Sequence, residues 1–133
     1  MMKSRKFILL AALFGFVGFV GVALGAFGAH GLSAHFAAYP DLEDTFRTAV
    51  QYQMYHALAL LGAGWLAERS TGRAARLAGW LFTVGILLFS GSLYILSLFD
   101  LRIMGAVAPL GGLALLGSWL CLGLAAWRTS EQR

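Results

Sequence analysis

This chain has little of what a water-soluble enzyme is made from. Charged residues are 12% of its 133 positions, about half the share of roughly 25% in ordinary globular chains. A soluble fold of this size would have too few charges to cover its own core. There is one cysteine, Cys121, which excludes an intrachain disulfide and any CxxC pair for zinc or redox work. Set deep in an apolar run, that thiol reads as a packing group. The sequence has no Walker loop, no nucleophile beside its base and no core of paired carboxylates, so neither enzymatic activity nor a cofactor is expected. Ten basic residues against six acidic ones give a net charge of +4. They form no stripe with interleaved aromatics, so nucleic acid is not an expected partner.

What the chain has instead is apolar bulk. Hydrophobic residues make up 59%, with 17 glycines besides. Lipid is then the solvent for most of the polypeptide, and the bilayer its first partner. A hydrocarbon core of about 30 Å needs about 20 apolar residues as helix, and four segments qualify: residues 7–29, 47–66, 77–99 and 103–127. In the first, thirteen Leu, Ile, Phe or Val residues each favour insertion by about 0.3–0.6 kcal/mol. The expected fold is therefore all-α, an integral-membrane four-helix bundle in a single domain over residues 1–133. KSRK ahead of an apolar run also has the form of a secretion signal. The run is about 23 residues, longer than the 7–15 of a signal core, so it is expected to remain as a span.

Orientation follows the basic residues. Lys3, Arg5 and Lys6 precede span one, Arg69, Arg73 and Arg76 separate spans two and three, and Arg128 and Arg133 follow span four. Only Arg47 and Arg102 fall on the other side, beside Asp41, Glu43, Asp44 and Asp100. Both termini are expected in the cytoplasm, with the chain multi-pass in the cytoplasmic (inner) membrane, or facing the matrix in a mitochondrial setting. LALLGAGW (58–65) and LALLGSW (113–119) echo each other, as duplicated hairpins or plain leucine–alanine bias would.

Small residues recur along span one: Ala11, Gly15, Gly18, Gly25 and Ala29 share a stripe, with Gly21 and Gly28 beside it. Without a hydrophobic drive between helices in lipid, such residues let backbones approach closely. Gly105, Ala108 and Gly112 form a second small face around Pro109. Pro109 lacks an amide donor and either kinks span four or starts it. In the latter case residues 103–108 are irregular and buried by neighbours, as lipid requires.

Span two is unusually polar. Pro40 and Asp41 are expected to begin its helix, with Asp41 and Asp44 at the favourable end of the dipole. Thr48, Tyr52, Tyr55 and Ala59 fall on one face, and Gln53 and His56 on an adjoining one. His56 is then near mid-membrane. Span three offers Thr83, Ser90, Tyr94 and Ser97 at near-heptad steps. A polar group within the bilayer suggests a functional site, or else hydrogen-bonding glue between helices. Outside the bilayer, His30 and His35 with Asp41, Glu43 or Asp44 are candidate metal ligands, although a site needs three or four and no spacing matches a known motif.

GAFGAHGL (25–32), FRTAVQYQMYHALALL (46–61), LFSGSLYIL (88–96) and APLGGLALLGSWL (108–120) together resemble the small YgdD/YwdK-type membrane proteins of bacteria, with mitochondrial relatives in animals. The resemblance runs over nearly the whole chain, and the Tyr52–Gln53–Met54–Tyr55–His56 block is specific to it. It implies a four-span membrane protein of a family of unknown function and supplies no catalytic residues. Three functions remain open. The first is an accessory or packing subunit that joins a larger membrane complex, or its own copies, through glycine-rich faces. The second is a transporter of small molecules, protons or ions, or a ligand-binding protein, built on His56, Gln53, Tyr52, Tyr55, Ser90 and Tyr94. The third is a haem or metal protein using His30, His35 or His56.

Overall fold

The computed structural model describes residues 2–131, with side chains from residue 13 onward. The side chains of Lys3, Arg5, Lys6 and Ala11, and all of Arg133, lie outside the described residues. The elements are helices α1 (Met2–His30), α2 (Ser33–Ala38), α3 (Pro40–Arg69), α4 (Ala74–Phe99), a 3-10 turn (Arg102–Ala106) and α5 (Ala108–Glu131). No strand occurs among the described residues. Each expected span is contained in a long helix, except that the fourth helix starts at Ala108 rather than near residue 103. Pro109 is its second residue, where the missing amide leaves no bond unmade. The 3-10 turn before it has no buried residue, so the expectation that neighbours would bury it does not hold.

Windows in α1 (Leu13–His30), α4 (Ala74–Phe99) and the segment Arg102–Glu131 are long and apolar enough to cross a membrane. Helix α3 is long enough, with 30 residues or about 45 Å, but is not among them. Its composition is diluted by Asp41, Glu43, Asp44 and Arg47 in the first turns and by Gln51, Gln53 and His56 beyond. The packing explains how such a helix is sustained. Helix α3 lies between α1 and α4, while α4 lies between α3 and α5. Among the described residues no Cα of α1 comes within 8 Å of α4 or α5, so the bundle is open on that side. The helix with most polar residues thus packs along two long neighbours, and it also touches α5. Helix α1 has one long neighbour, and only 11% of its apolar window is buried within the chain.

Three apolar clusters run along the axis. Phe36, Leu42 and Phe46 close one end, and Leu66, Ala75 and Ala125 the other. The middle joins Phe14, Leu60, Phe82, Ile86 and Leu115 from four helices. Small residues dominate the tightest contacts, with Ala49, Ala63 and Ala78 essentially inaccessible. The LALLG echo has a structural counterpart. Leu60 and Leu115 are buried at matching positions, whereas Leu58, Leu61, Leu113 and Leu116 are all exposed to the surroundings of the bundle.

The end bearing α2 is tied down by polar contacts. Asp100 adopts the left-handed conformation (φ 51°) as it ends α4, which Asp tolerates better than most residues. Arg102 Nε then meets Asp100 Oδ1 at 2.5 Å and its Nη2 meets Asp41 Oδ2 at 3.1 Å. His35 Nε2 donates to the Ser97 carbonyl at 2.8 Å, satisfying one of the last carbonyls of α4, which have no helical partner.

Candidate functional site

Gln53 projects from α3 towards both of its long neighbours. Its Nε2 donates to the Val17 carbonyl of α1 at 2.9 Å, and its Oε1 accepts from Tyr94 Oη of α4 at 2.6 Å. One side chain therefore joins three helices. The approach needs Gly21, where a Cβ would lie 3.3 Å from Gln53 Nε2 and 2.5 Å from Met54 Sδ. Ser90 adds a parallel tie, its Oγ donating to the Ala49 carbonyl at 2.8 Å. Gln53 and Ser90 are both buried, and each has its hydrogen bonds within the chain. Thr48, Thr83 and Ser97 donate to carbonyls of their own helices. Thus Gln53, Ser90 and Tyr94, grouped with the histidine by sequence, form an internal brace.

The brace should behave as one unit. Tyr94→Phe removes one bond and strands Gln53 Oε1, and Gln53→Leu strands the Tyr94 hydroxyl. Each is expected to cost about 1–3 kcal/mol, the range for an unsatisfied buried group. The double variant should cost less than the sum, with a coupling of about 0.5–2 kcal/mol. A double-mutant cycle on unfolding in mild detergent measures it, and additive losses would show that the two side chains do not share a bond.

His56 belongs to a different neighbourhood. Its Nδ1 lies 2.6 Å from the Tyr52 carbonyl and its Nε2 lies 3.2 Å from Trp119 Nε1 of α5. An indole nitrogen only donates and a carbonyl only accepts. The ring is therefore the neutral tautomer with its proton on Nδ1, donating to Tyr52 and accepting from Trp119. Phe82 and Tyr52 flank it at ring-centroid distances of 5.7 Å each. With both nitrogens engaged, a haem or metal ion would have to displace Trp119. Nor are the other histidines gathered for such a role: His30 is exposed at the end of α1 and His35 caps α4. Among the described residues, no group of three or more His, Cys, Asp or Glu side chains could hold a metal ion.

Tyr52 and Tyr55 point a third way. Both are exposed and line an open groove of about 810 Å³ between α3 and α5, with His56 and Trp119, and Phe89 and Pro109 on its other walls. Tyr52 packs on Phe89 at a centroid distance of 4.5 Å. Chemically, the groove offers aromatic faces and two phenol hydroxyls near the middle of α3. The six sequence candidates thus divide into a brace, a latch between α3 and α5, and a groove wall.

The glycines divide as well. A Cβ at Gly15 or Gly18 would meet nothing within 4 Å, and one at Gly25, Gly105 or Gly112 would make only a contact of 3.4, 4.0 or 3.9 Å. Tight packing between helices belongs to Gly21, Gly28, Gly85 and Gly111, while Gly31 is close only to Phe27 of the preceding turn. Gly28 faces the ring of Phe46, Gly85 faces Leu115, and Gly111 lies on the backbone of Phe89. The buried side of α1 runs through Phe14, Gly21 and Gly28, a seven-residue step that the sequence displays but that counting glycines at three and four does not pick out.

Comparison with known proteins agrees with this architecture. Residues 24–112 match the family described as a protein of unknown function, DUF423. The chain is 38% identical over 137 residues to the UPF0382 inner membrane protein YgdD of Escherichia coli K12, covering 98% of this chain and 96% of that one. It is 50% identical over 82 residues to the UPF0382 membrane protein YwdK of Bacillus subtilis, covering 61% of this chain and 67% of its relative. To the UPF0382 membrane protein SH2409 of Staphylococcus haemolyticus it is 49% identical over 74 residues, covering 56% of this chain and 60% of its relative. No solved structure matches. Bracing by Gln53 and Tyr94, three helices apolar enough to span a bilayer and near end-to-end similarity to YgdD lead to one conclusion: the chain is a multi-pass inner-membrane protein of the DUF423 family.

Proposed function

We propose that the chain is a non-enzymatic accessory protein. It crosses the bilayer four times with both termini in the cytoplasm, and holds another membrane protein, or a second copy of itself, against the open face of α1. The observation that carries this reading is the emptiness around Gly15 and Gly18. A glycine within a helix costs about 1 kcal/mol relative to alanine, and here no packing inside the chain uses its smoothness. A helix arriving from outside would use it. Phe16 and Phe19, 64% and 71% exposed, flank the same stretch and add apolar contact area. Passage of α3 across the bilayer is supported by its polar side chains, which find partners in α1, α4 and α5 rather than facing lipid. The distribution of arginines supports the orientation.

A second reading is favoured by the groove. The hydroxyls of Tyr52 and Tyr55 have no hydrogen-bond partner among the described residues, and a polar group facing hydrocarbon is costly. A membrane-soluble ligand with an apolar body and an acceptor oxygen would satisfy them.

One experiment separates the two. The protein is purified from its own membrane in mild detergent, and co-purifying proteins and small molecules are identified by mass spectrometry. Under the accessory reading, Gly15→Leu and Gly18→Leu lose the protein partner without lowering the melting temperature, because a Cβ at either position meets nothing within 4 Å in the chain. Under the ligand reading they change nothing, and Tyr55→Ala loses a small molecule instead. A wild-type protein that runs as a lone, ligand-free monomer ends both.

A further inference from the structure

A separate polar place lies at the inner end, where α3 turns into α4. Among the described residues Ser70 Oγ is the buried side-chain oxygen or nitrogen with no hydrogen-bond partner. The Ser70 amide is used, donating to the Leu66 carbonyl at 2.9 Å as α3 ends. The residue lines a recess of about 180 Å³ between this turn and the end of α5, together with Thr71, Gly72, Ala74, Arg128 and Thr129. A buried hydroxyl without a partner is costly and persists most readily where something from outside completes it.

The surroundings favour an anion. Helix α4 begins at Ala74 with no side-chain cap. Its first ladder bond runs from the Leu77 amide to the Arg73 carbonyl at 2.9 Å, so the amides of Ala74, Ala75 and Arg76 have no acceptor among the described residues. Unpaired amides at the positive end of a 26-residue helix attract negative charge. Arg128 lines the recess from α5, and Arg69, Arg73 and Arg76 lie at or beside the turn without lining it, as does Glu68. The ion pairs found among the described residues are all at the opposite end, between Arg47 and Glu43 and around Arg102. None of them engages these four arginines, whose end of the bundle carries Glu68 and Glu131 as its acidic groups among the described residues. Arg69 also stacks on the ring of the exposed Trp65 at 4.3 Å, an aromatic-plus-basic pairing typical of headgroup depth.

We propose that this recess is a phosphate site that holds the headgroup phosphate of an anionic phospholipid. Its oxygens accept from Ser70 Oγ, from the free amides at the start of α4 and from the Arg128 guanidinium, while the acyl chains lie along the apolar walls of α3 and α5. The recess accommodates a phosphate and its immediate substituents. The site is independent of whichever partner α1 or the groove engages.

The test uses the full chain in detergent with dioleoyl phosphatidylglycerol, dioleoyl phosphatidylcholine or inorganic phosphate, read by native mass spectrometry and thermal unfolding. Wild type is expected to retain phosphatidylglycerol in preference to phosphatidylcholine. Arg128→Gln and Ser70→Ala should each weaken that retention about tenfold, the loss expected for one charge-assisted or buried hydrogen bond. Ser70→Ala should also melt no earlier than wild type without lipid, since it removes an unsatisfied hydroxyl. Should inorganic phosphate bind with the same dependence on both residues while phosphatidylglycerol does not, the anion chemistry holds and the ligand comes from solution. Equal retention of the two lipids, or undiminished phosphatidylglycerol preference in both variants, overturns the site.

Discussion

Gly111→Ala is expected to destabilise the protein by about 2–3 kcal/mol, towards the upper end of overpacking costs. The added methyl would fall on Phe89, within contact of its amide nitrogen and 2.8 Å from its Cα and from its Cβ. Backbone atoms cannot rotate aside as a side-chain tip does, so α4 and α5 must separate along the interface. That loss outweighs the gain of about 1 kcal/mol that alanine brings to a helix. Two glycines on the same interface calibrate the effect. At Gly85 the methyl meets Leu115 Cδ2 at 2.5 Å and Cγ at 2.7 Å, with the Gly111 carbonyl at 3.2 Å. Leu115 has rotamers to use, so Gly85→Ala should cost less. At Gly117 the nearest atom is Leu81 Cδ1 at 3.6 Å, an ordinary contact, and Gly117→Ala should be neutral or slightly stabilising. Thermal unfolding followed by tryptophan fluorescence gives the order. If Gly111→Ala melts with Gly117→Ala, the close approach of α4 and α5 is wrong.

Gly28→Ala should loosen α1 from α3 at a cost of about 1–3 kcal/mol. The methyl would overlap the ring of Phe46, with Cδ1 at 2.9 Å and Cζ at 3.3 Å. Phe46 is 2% exposed and packed between Phe36 and Tyr94, at centroid distances of 5.5 and 5.4 Å, so it has nowhere to retreat. The clash is with one side chain, and a smaller one relieves it. Phe46→Leu alone should be destabilising, yet in the Gly28→Ala background it should restore part of the loss. A double-mutant cycle reads this as a coupling of about 0.5–3 kcal/mol. Strict additivity would place the two residues out of contact.

The helices were legible because membrane-spanning length is a crude, strong signal: the first three expected spans lie inside long helices, and the fourth does so from Ala108 onward. Pro40 and Pro109 marked two helix starts for a reason visible in the sequence, the missing amide. What remained illegible depended on who packs against whom. Gly15 and Gly21 look alike in the sequence, yet only Gly21 meets α3, because the buried side of α1 is set by where Gln53 and Phe46 reach it. Gln53 and His56, one turn apart, read as one cluster. They serve different neighbours, because α1 and α4 receive the first while α5 receives the second. Helix α2 went unseen because six residues carry no periodicity of their own, and Phe36 is buried in a cluster with Leu42 and Phe46 that is assembled from distant parts of the chain. The recess at Ser70 was equally hidden, since nothing in the order of residues brings Arg128 beside the turn after α3.

The linear order of neighbours, α1 beside α3, α3 beside α4 and α4 beside α5, bears on how the protein is made. Each long helix leaving the ribosome meets the long helix synthesised just before it, so no segment waits in the bilayer for a distant mate. The three-way tie at Gln53 closes once α4 is in place, leaving α5 to dock last onto an assembled core through Gly111 and Trp119.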